Sequence, residues 1–417
     1  MSYQINAPEH LNVQTALPAS KSISNRALII HALSGGSILP KNLSDCDDTE
    51  VIVNALKDMP ETINIGAAGT AMRFLTAYLS VTEGTHVLTG TERMKHRPIG
   101  ILVEALRRLG ADIQYVGEEG YPPLRITGHP LTGGTLEIPG NVSSQYISAL
   151  LMIAPVLNDG LELKLTGDII SRPYIDLTLW MMREFGADAE WTATDTITIH
   201  PSPYQPHDYV IENDWSGSSY WYEMMALTRD ADAEVRVTGL MDGSKQGDSV
   251  VRYIFSLLGV KTVFESRKTG VPQMVTLKKS GRCVPRMEYD LSNSPDLAQT
   301  IIVTCALLDI PFHFTGLSTL KIKETDRIEA MKTEMRKLGY VIHDVQGSEL
   351  YWDGERCEAA GQPCIDTYED HRMALAFAPI SLIRPVTINN PQVVTKSYPH
   401  YWEELRKAGF SLNVPTP

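Results

Sequence analysis

The sequence predicts an α/β chain built from repeated modules, and two observations carry that prediction. Five segments combine a helical apolar pattern, a glycine and a short strand, and their glycines recur every 70–80 residues. A repeat of this length is too long for a solenoid and suits a module of two helices and several strands. Between these segments lie stretches that alternate apolar and polar residues, which is the pattern of half-buried strands. We therefore expect about six modules, in two clusters of three.

Each of the five segments ends its helix at a glycine, where a left-handed backbone is needed to terminate the helix. Basic residues in several of the last turns favour the same assignment, because they interact well with the helix dipole. A weaker sixth copy occupies residues 55–60, and the proline-containing stretch 201–207 is the candidate linker. The five segments are 105–110, 182–186, 255–259, 335–339 and 405–409, and strands are expected at 135–138 and 196–200.

The composition is that of an ordinary globular chain that is acidic overall. The 417 residues are 43% hydrophobic and 21% charged, which is enough for two or three domains, or one large one, with full cores. The net charge of −13 argues against binding to nucleic acid, because neutralisation of phosphates by cations drives that affinity. The same charge would repel small anionic substrates unless basic residues are gathered locally.

No stretch of the sequence is apolar for long enough to cross a membrane. The longest one, residues 149–157, falls far below the roughly 18–20 residues that a bilayer requires. The first residues lack the basic start and the apolar core of a signal peptide. The five cysteines are odd in number and show no CxxC spacing, which favours a reduced, cytoplasmic compartment.

Most polar clusters of the sequence immediately precede an apolar helical run. A helix N-terminus presents free N–H groups and a partial positive charge, so several such ends directed at one place would bind anions. Serine, threonine and aspartate there are more often simple N-caps. Basic residues in a first turn are harder to explain without an anionic ligand, because the helix dipole disfavours them. Six basic residues are predicted in such positions: Lys21, Arg26, Arg73, Lys323, Arg327 and Arg372.

Other candidate sites are weaker. His371 can be either a packed histidine or a catalytic one. Asp45, Asp47 and Asp48 suggest a metal site, but no histidine or glutamate stands at ligand spacing, so a helix cap and solvated acids are favoured and no metal is expected. The sequence contains no Walker-type phosphate loop, no dinucleotide-binding glycine motif, no HExxH and no GxSxG. Nothing in it requires a nucleotide, zinc or a serine nucleophile.

Seven motifs together resemble those of the 5-enolpyruvylshikimate-3-phosphate synthase family of enolpyruvyl transferases, in the family's order. The resemblance implies a fold of six βαβαββ modules, three per domain, with a cleft between the two domains. It further implies that the chain crosses between the domains twice, so that residues 1–18 and 214–417 form a C-terminal lobe and residues 19–213 an N-terminal lobe. The motifs are LPASKSISNRAL (17–28), AGTAMR (68–73), MKHRPI (94–99), SSQ (143–145), SRPYID (171–176), KETDR (323–327) and DHRMA (370–374).

The resemblance implies transfer of the enolpyruvyl group of phosphoenolpyruvate to the 5-hydroxyl of shikimate 3-phosphate, with release of phosphate, on the route to chorismate and the aromatic amino acids. Both substrates are multiply anionic, which suits clustered cations and free N–H groups. Addition and elimination through a tetrahedral intermediate need a base for the hydroxyl and an acid for the methylene carbon, and these roles reverse in the second step. The resemblance implies no cofactor, a monomer, and small-molecule substrates as the only partners.

The resemblance also assigns roles to individual residues. Asp296 would accept the hydroxyl proton, and Glu324 would donate a proton to the methylene carbon, which requires a site that disfavours the carboxylate. Lys21 would face both substrates, Lys323 would bind near the hydroxyl, and His371 would support the network. Shikimate 3-phosphate would be bound by Lys21, Ser22, Arg26, Ser143, Ser144, Gln145, Ser171, Tyr174, Asp296, Thr319 and Lys323, and phosphoenolpyruvate by Lys21, Gly69, Arg97, Gln145, Arg327, Arg372 and Lys396.

Three positions and one segment depart from the common pattern of the family. Ala67 and Thr319 each stand where an asparagine is common, Phe74 stands where a proline is common, and the segment 213–218 is unusual. These departures affect the expected contacts to phosphoenolpyruvate and leave the response to glyphosate open. The charged set is intact, so the expected reaction is unchanged.

The sequence leaves two alternative functions to be weighed. The sister enzyme that acts on UDP-N-acetylglucosamine shares the fold but carries a cysteine acid in a loop, and Cys46, Cys283 and Cys305 do not lie in a matching loop. A non-catalytic anion-binding protein would not need Asp296 and Glu324 beside its anions, because like charge weakens binding.

Overall fold

The computed structural model describes residues 1–414, and these divide into two compact units. We call residues 19–211 the continuous unit. We call Met1–Pro18, together with the chain from Glu212 onward, the discontinuous unit. Each unit has its own apolar core.

The elements follow one another in a regular alternation. The first two strands, β1 (Ser2–Asn6) and β2 (Asn12–Ala16), belong to the discontinuous unit. The continuous unit then contains α1 (Lys21–Leu33), α2 (Asp47–Asp58), β3 (Thr62–Asn64), α3 (Gly69–Val81), β4 (Gly84–Thr89), α4 (Gly100–Arg108), β5 (Asp112–Tyr115), β6 (Leu124–Gly128), β7 (Gly134–Pro139), α5 (Ser144–Ile153), β8 (Leu161–Thr166), α6 (Arg172–Glu184), β9 (Ala189–Trp191) and β10 (Thr196–Ile199).

The discontinuous unit resumes with a helix whose residues are nearly all buried. Its elements are α7 (Trp215–Leu227), β11 (Glu234–Met241), α8 (Val251–Ser256), β12 (Leu258–Phe264), β13 (Pro272–Cys283), β14 (Met287–Asp290), α9 (Ala298–Leu307), β15 (Phe312–Thr315), α10 (Arg327–Lys337), β16 (His343–Val345), β17 (Glu349–Trp352), β18 (Cys364–Ile365), α11 (His371–Phe377), β19 (Val386–Asn389), α12 (Tyr401–Lys407) and β20 (Ser411–Asn413).

Within residues 1–414 the strands form five four-stranded sheets of one topology. Their strand orders are β3-β4-β6-β5, β7-β8-β10-β9, β12-β13-β11-β2, β14-β15-β17-β16 and β18-β19-β1-β20. In each sheet one pair of strands is parallel and the other two pairs are antiparallel. The N-terminal strands β1 and β2 complete sheets whose other strands lie beyond residue 211. The predicted α/β class is confirmed.

The sixth predicted module differs from the other five. It contains α1 and α2, but an isolated bridge between Lys41 and Val210 takes the place of a sheet. The segments on either side of that bridge contain Gly35, Gly36 and several prolines. Glycine weakens a strand and proline cannot donate to the ladder, which explains why no continuous pairing forms here.

The glycine repeat is confirmed by backbone geometry. All five glycines have a positive φ between 86° and 102°. Four of them stand two residues after the last residue of a helix, as expected at a helix end: Gly110, Gly186, Gly339 and Gly409. Gly259 instead lies in β12, three residues beyond the end of α8. In the weaker sixth copy Met59 takes the same role, with φ 40° at the end of α2. The predicted strands near 135–138 and 196–200 are β7 and β10.

Two sequence expectations need correction. The apolar run 373–382 that follows Arg372 predicts one helix, but α11 ends at Phe377 and a 3-10 stretch, Ala378–Leu382, follows, because Pro379 cannot donate the next α-helical hydrogen bond. The stretch 201–207 lies inside the continuous unit rather than at its boundary. Within it, Tyr204 is buried and its hydroxyl donates to the carbonyl of Met152 at 2.8 Å.

Helices packed on helices form the core of each unit. In the continuous unit α1, α3, α5 and α6 contact one another, and α3 is buried along almost its whole length. In the discontinuous unit α7, α9 and α11 contact one another in the same manner. Among residues 1–414, no helix combines the length and the apolar character needed to cross a bilayer.

Candidate active site

Arg327 is the centre of an ion-pair cluster in the discontinuous unit. It is the first residue of α10, and its side chain is 1% exposed. Its Nε and Nη2 donate to the two oxygens of Asp370 at 2.7 and 3.3 Å. Its Nη1 donates to Asp296 at 3.1 Å, and its Nη2 also donates to Glu324 at 2.9 Å. One buried guanidinium therefore joins three carboxylates.

Two further cations converge on Asp296. Arg372 Nη2 donates to its Oδ2 at 2.9 Å, and Lys323 Nζ lies 3.5 Å from its Oδ1. Burial alone would raise the pKa of Asp296, but the charges of Arg372, Lys323 and Arg327 outweigh that effect and hold it well below its usual range. In the structure as it stands, Asp296 is therefore a firmly ionised carboxylate and a weak base.

A constrained loop positions Asp370 and Arg372. Tyr368 and Glu369, which precede Asp370, both have left-handed backbones, with φ 52° and 57°. Such conformations cost a non-glycine residue about 1–2 kcal/mol each. The carbonyl of Glu369 accepts a hydrogen bond from Lys396 Nζ at 2.9 Å. Asp370 then caps α11 by accepting from the Arg372 N–H at 2.9 Å, so that the same carboxylate orients both arginines.

The other predicted residues of this unit lie on adjoining segments. Thr319 belongs to the 3-10 turn Ser318–Ile322, which leads directly to Lys323 and Glu324. Its Oγ1 is buried and has no hydrogen-bond partner among residues 1–414. His371 is 1% exposed, with Nδ1 3.8 Å from Asp370 Oδ1, so it is a packed residue beside the cluster.

In the continuous unit, Lys21 begins α1 and is paired with an acid. Its Nζ lies 3.6 Å from Asp48 Oδ2, and Ser20 caps the helix by accepting from the Ile23 N–H. Asp48 is 6% exposed, so the expectation of a solvated acid at this position is wrong. Its negative charge offsets the unfavourable interaction between Lys21 and the N-terminal end of the helix dipole. Ser22 follows in the same first turn.

Arg26 is enclosed by protein groups. Its Nε donates to Thr178 Oγ1 at 2.7 Å, and its Nη2 donates to Ser148 Oγ at 3.1 Å and to the Tyr174 carbonyl at 3.5 Å. Burial lowers the pKa of Arg26 to about 10, which leaves it charged at neutral pH. Through these bonds Arg26 fixes α1 against α5 and the first turn of α6.

Gly69 opens α3 directly beneath Arg97. A Cβ atom on Gly69 would lie 2.5 Å from Arg97 Nη1, well inside any permitted contact. The absence of a side chain at this position therefore allows the guanidinium to lie against the N-terminus of α3. Arg97 follows the 3-10 turn Met94–His96, and its buried Nε has no hydrogen-bond partner in the described chain.

The start of α5 is tied to the start of α3. Ser143 caps α5 by accepting from the Gln145 N–H at 3.4 Å, and Ser144 is the first helical residue. Gln145 Nε2 donates to Thr70 Oγ1 at 3.1 Å. Polar groups of two helix N-termini thus lie side by side, which is the arrangement expected for binding an anion.

The start of α6 has an unusual backbone. Ser171 precedes the helix with a left-handed φ of 53° and is 8% exposed. Tyr174 follows one turn later, and its carbonyl accepts from Arg26 and from Thr178. The left-handed residue is held in place by neighbouring structure, as is common at binding sites.

The prediction that six cations occupy first turns is only half right. Lys21, Arg327 and Arg372 do begin helices. Arg26 and Arg73 instead lie in second turns, where each donates to the carbonyl four residues earlier, at 2.9 and 3.0 Å. The sixth, Lys323, precedes the start of α10. Such carbonyl contacts direct part of each guanidinium to protein groups of its own helix.

Several polar residues near these clusters escaped the sequence analysis. Asp370 belongs to the DHRMA motif, and its position before a helix is a recognisable N-cap signal, but nothing in the sequence indicates its pairing with Arg327. Tyr220, whose hydroxyl accepts from Arg372 Nη1 at 3.4 Å, lies in an aromatic run of α7 that gives no such signal. Asp248, in the turn Gly247–Val250, is 2% exposed and accepts a hydrogen bond from the Ser216 hydroxyl. No group of His, Cys, Asp and Glu in residues 1–414 has an arrangement suited to a metal ion.

Comparison with known proteins decides the family. The family model of EPSP synthase (3-phosphoshikimate 1-carboxyvinyltransferase) matches residues 5–65 and 59–405. The chain belongs to this family. A 3-phosphoshikimate 1-carboxyvinyltransferase of Bacteroides fragilis is 60% identical over 415 residues, or 99% of either chain. One from Aliivibrio fischeri is 37% identical and covers 95% of this chain and 97% of its own.

The fold agrees with that of solved EPSP synthases. The structure of EPSP synthase from Acinetobacter baumannii superposes with a TM-score of 0.78, covering 99% of this chain and 100% of that one at 21% identity. The resemblance seen in the sequence motifs is thus confirmed at the level of family and fold. Within this family member, the ion-pair cluster of the discontinuous unit joins three carboxylates to three cations.

Proposed function

We propose that this chain transfers the enolpyruvyl group of phosphoenolpyruvate to the 5-hydroxyl of shikimate 3-phosphate and releases phosphate. Its family membership over the whole chain carries this proposal. The cluster of Asp296, Glu324 and three cations supports it, because it supplies the base, the acid and the anion-binding charges that the reaction needs. We also propose that the two units are the lobes of the enolpyruvyl transferase fold.

The proposed ligands are the two sets named from the sequence. In the continuous unit, Ser143, Ser144 and Gln145 would hold the phosphate of shikimate 3-phosphate with N–H and hydroxyl groups at a helix start. Arg26, being fully engaged, would act mainly by fixing the helices around that substrate. Arg97 beside Gly69 would bind phosphoenolpyruvate.

The ion pairs around Arg327 suggest how the base is activated. Around Arg327 three carboxylates (Asp296, Glu324 and Asp370) balance three cations (Arg327, Arg372 and Lys323). Phosphoenolpyruvate bound by the two arginines would add negative charge and draw their guanidinium groups away from Asp296. Loss of nearby positive charge raises the pKa of a carboxyl group. Asp296 would then become basic enough to accept the hydroxyl proton.

Glu324 would be released in the same way. Its carboxylate accepts from Arg327 Nη2 at 2.9 Å, which favours the ionised form and opposes proton donation. When Arg327 turns to the substrate anion, Glu324 loses this partner and can hold a proton. Binding of the second substrate would thus switch on both the acid and the base.

The steps follow from these roles. The 5-hydroxyl oxygen bonds to C2 of phosphoenolpyruvate while its proton passes to Asp296, and the methylene carbon takes a proton from Glu324. The product is a tetrahedral intermediate that still carries the phosphate. Glu324 then takes a proton back from the methyl carbon, the double bond re-forms as the C2–O bond to phosphate breaks, and Asp296 returns its proton to the departing phosphate. Lys21 and Lys323 would stabilise the negative charge that develops on oxygen atoms.

We further propose that the enzyme works as a monomer in the cytoplasm. The family expectation supports the monomer, and the cysteine pattern supports a reducing compartment. A native mass measurement of the purified protein would test the first statement.

Phosphate release tests the proposed function. The protein should release phosphate only when shikimate 3-phosphate and phosphoenolpyruvate are both present. Lys323→Met should lower kcat by about 100-fold or more, because it removes a cation 3.5 Å from Asp296. Lys321→Met, at an exposed position in the neighbouring turn, is the matched control and should retain activity. Turnover with UDP-N-acetylglucosamine in place of shikimate 3-phosphate would reject the proposal.

A further inference from the structure

The loop that leads into α11 is attached to α10 at two points. At the first, Asp370 accepts two hydrogen bonds from Arg327, the first residue of α10. At the second, the hydroxyl of Tyr368 donates to Glu334 Oε1 at 2.6 Å, and the N–H of Asp366 donates to Glu334 Oε2 at 3.2 Å. The loop is therefore held by a cation and by a carboxylate of the same helix.

Glu334 is placed to act on this loop and not on a substrate. It is 0% exposed, and it lies about two turns after Arg327, so both side chains are on one face of α10. Lys337 Nζ lies 2.8 Å from Glu334 Oε2 and balances the buried charge. Because the side chain is completely enclosed by protein, any effect of Glu334 on substrate binding has to pass through its neighbours.

The loop depends on such contacts because its backbone is strained. Tyr368 and Glu369 have φ of 52° and 57°, which non-glycine residues adopt only when the surrounding structure holds them there. The bond from the Tyr368 hydroxyl to a carboxylate is of the stronger, charge-assisted kind, and Thr333 on the same helix also interacts with this hydroxyl. The N–H of Asp370 donates to the carbonyl of Thr367 at 2.8 Å, so a shift of the loop would move Asp370 with it.

Three residues proposed to bind phosphoenolpyruvate contact the same loop. Arg327 donates to the carboxylate of Asp370, and the backbone N–H of Arg372 donates to it at 2.9 Å. Lys396 Nζ donates to the carbonyl of Glu369 at 2.9 Å. Most residues proposed for shikimate 3-phosphate lie instead in the continuous unit. A displaced loop should therefore impair the binding of phosphoenolpyruvate selectively.

We propose that Glu334 and Tyr368 are positioning residues for phosphoenolpyruvate: their hydrogen bond fixes the strained loop so that Asp370 holds the guanidinium of Arg327 in place for that substrate. This inference rests on the proposed function. Loss of the bond leaves the charge of Arg327 unchanged but loosens its alignment. The guanidinium of Arg372 is held by side chains outside the loop, so Arg327 is the residue through which the effect is transmitted.

Tyr368→Phe removes only the hydroxyl and tests the proposal in steady-state measurements of phosphate release. It should raise the KM for phosphoenolpyruvate about tenfold, while the KM for shikimate 3-phosphate stays within about twofold. A purely structural role would reduce the amount of active enzyme, which lowers kcat and leaves both KM values unchanged. Tyr253→Phe is the matched control, because Tyr253 is an exposed tyrosine of the same unit whose hydroxyl accepts from Arg252, and it should keep both wild-type KM values.

Glu334→Gln shows whether the effect passes through the buried carboxylate. Glutamine offers one acceptor oxygen in place of two, so it can accept from the Tyr368 hydroxyl or from the Asp366 N–H but not from both. It should raise the KM for phosphoenolpyruvate about threefold. Because both substitutions weaken one link, the double variant should show a rise of about tenfold, well below the product of the single effects.

Several outcomes would overturn the inference. A raised KM in Tyr368→Phe with wild-type values in Glu334→Gln would mean that the tyrosine acts on the substrate directly. Effects that multiply in the double variant would mean that the two residues act independently. If the wild-type enzyme releases no phosphate from the two substrates, the proposed function has failed and the inference fails with it. If it turns over and both variants keep its KM values, only the role of Glu334 and Tyr368 has failed.

Discussion

Glu223 offers a direct test of how burial governs titration in this fold. It lies on α7 with 0% exposure, and neither of its carboxyl oxygens has a hydrogen-bond partner among residues 1–414. Burial raises its pKa well above the ordinary value of 4.5. Tyr401 lies close enough for a charge on Glu223 to affect its own titration. The side chain is therefore neutral in the folded protein under conditions in which it is ionised in the unfolded chain.

The sign and size of the effect follow from this difference. Below pH 4.5 a carboxyl whose pKa is raised by folding is protonated in both the folded and the unfolded chain, so its titration does not change the free energy of unfolding. Above pH 4.5 it lowers the free energy of unfolding by about 1.4 kcal/mol for each pH unit, until the pH reaches the folded pKa. Glu223→Gln removes the titration but retains a polar side chain, and Glu223→Leu also removes the penalty of about 1–3 kcal/mol for an unsatisfied buried polar group.

Urea denaturation at pH 5, 6.5 and 8 measures the prediction. The advantage of Glu223→Gln over the wild type should grow with pH, and Glu223→Leu should be the more stable of the two variants throughout. Glu265→Gln, at an exposed position in the same unit, is the matched control and should show the wild-type pH dependence. Parallel pH profiles for the wild type and Glu223→Gln would refute the reasoning.

Two further predictions concern the site residues. Gly69→Ala places a Cβ 2.5 Å from Arg97 Nη1, so it should raise the KM for phosphoenolpyruvate about tenfold while the KM for shikimate 3-phosphate changes little; an unchanged KM for phosphoenolpyruvate in steady-state kinetics would contradict this. Asp370→Ala leaves the buried Arg327 without two of its hydrogen bonds and should lower the free energy of unfolding by about 3 kcal/mol or more, measured in urea. Asp353→Ala breaks an exposed ion pair instead and should cost less than about 1 kcal/mol; equal losses would show that burial does not decide the effect.

The repeat could be predicted from the sequence because its signal is local. A glycine after a helix, such as Gly110 or Gly339, is required by the left-handed backbone at that one position, with φ of 102° and 95°. Family motifs were similarly informative because each is a short continuous segment. The sequence did not predict that the sixth module lacks a sheet. The segments that meet there, around Lys41 and Val210, are far apart in the chain, so no local pattern shows whether they pair.

The roles of individual cations were harder to predict. The sequence pattern does not fix where a helix begins to within one turn, and a shift of one turn decides whether an arginine faces free N–H groups or a carbonyl. Arg73 is an example, because its guanidinium donates to the carbonyls of Gly69 and Pro98. The burial of Asp48 could not be predicted for a related reason, because it depends on contact with Lys21 from another helix.

The protonation states of the proposed acid and base could not be predicted from the sequence. Asp296 and Asp370 lie far along the chain from the segment that carries Glu324 and Arg327, so their pairing with Arg327 depends on the tertiary fold. The expectation that Glu324 donates a proton did not include the arginine that holds it as a carboxylate. That contact makes substrate binding part of the proposed catalytic switch.

Transfer carried out in heavy water tests the central claim most directly. If the methylene carbon of phosphoenolpyruvate is protonated by an exchangeable acid and later loses a proton, the carboxyvinyl product formed in D₂O should carry deuterium on its vinyl methylene group, detected by mass spectrometry. Glu324→Gln should form neither labelled nor unlabelled product at a comparable rate. Product that forms at the wild-type rate without deuterium would contradict addition and elimination through a protonated carbon.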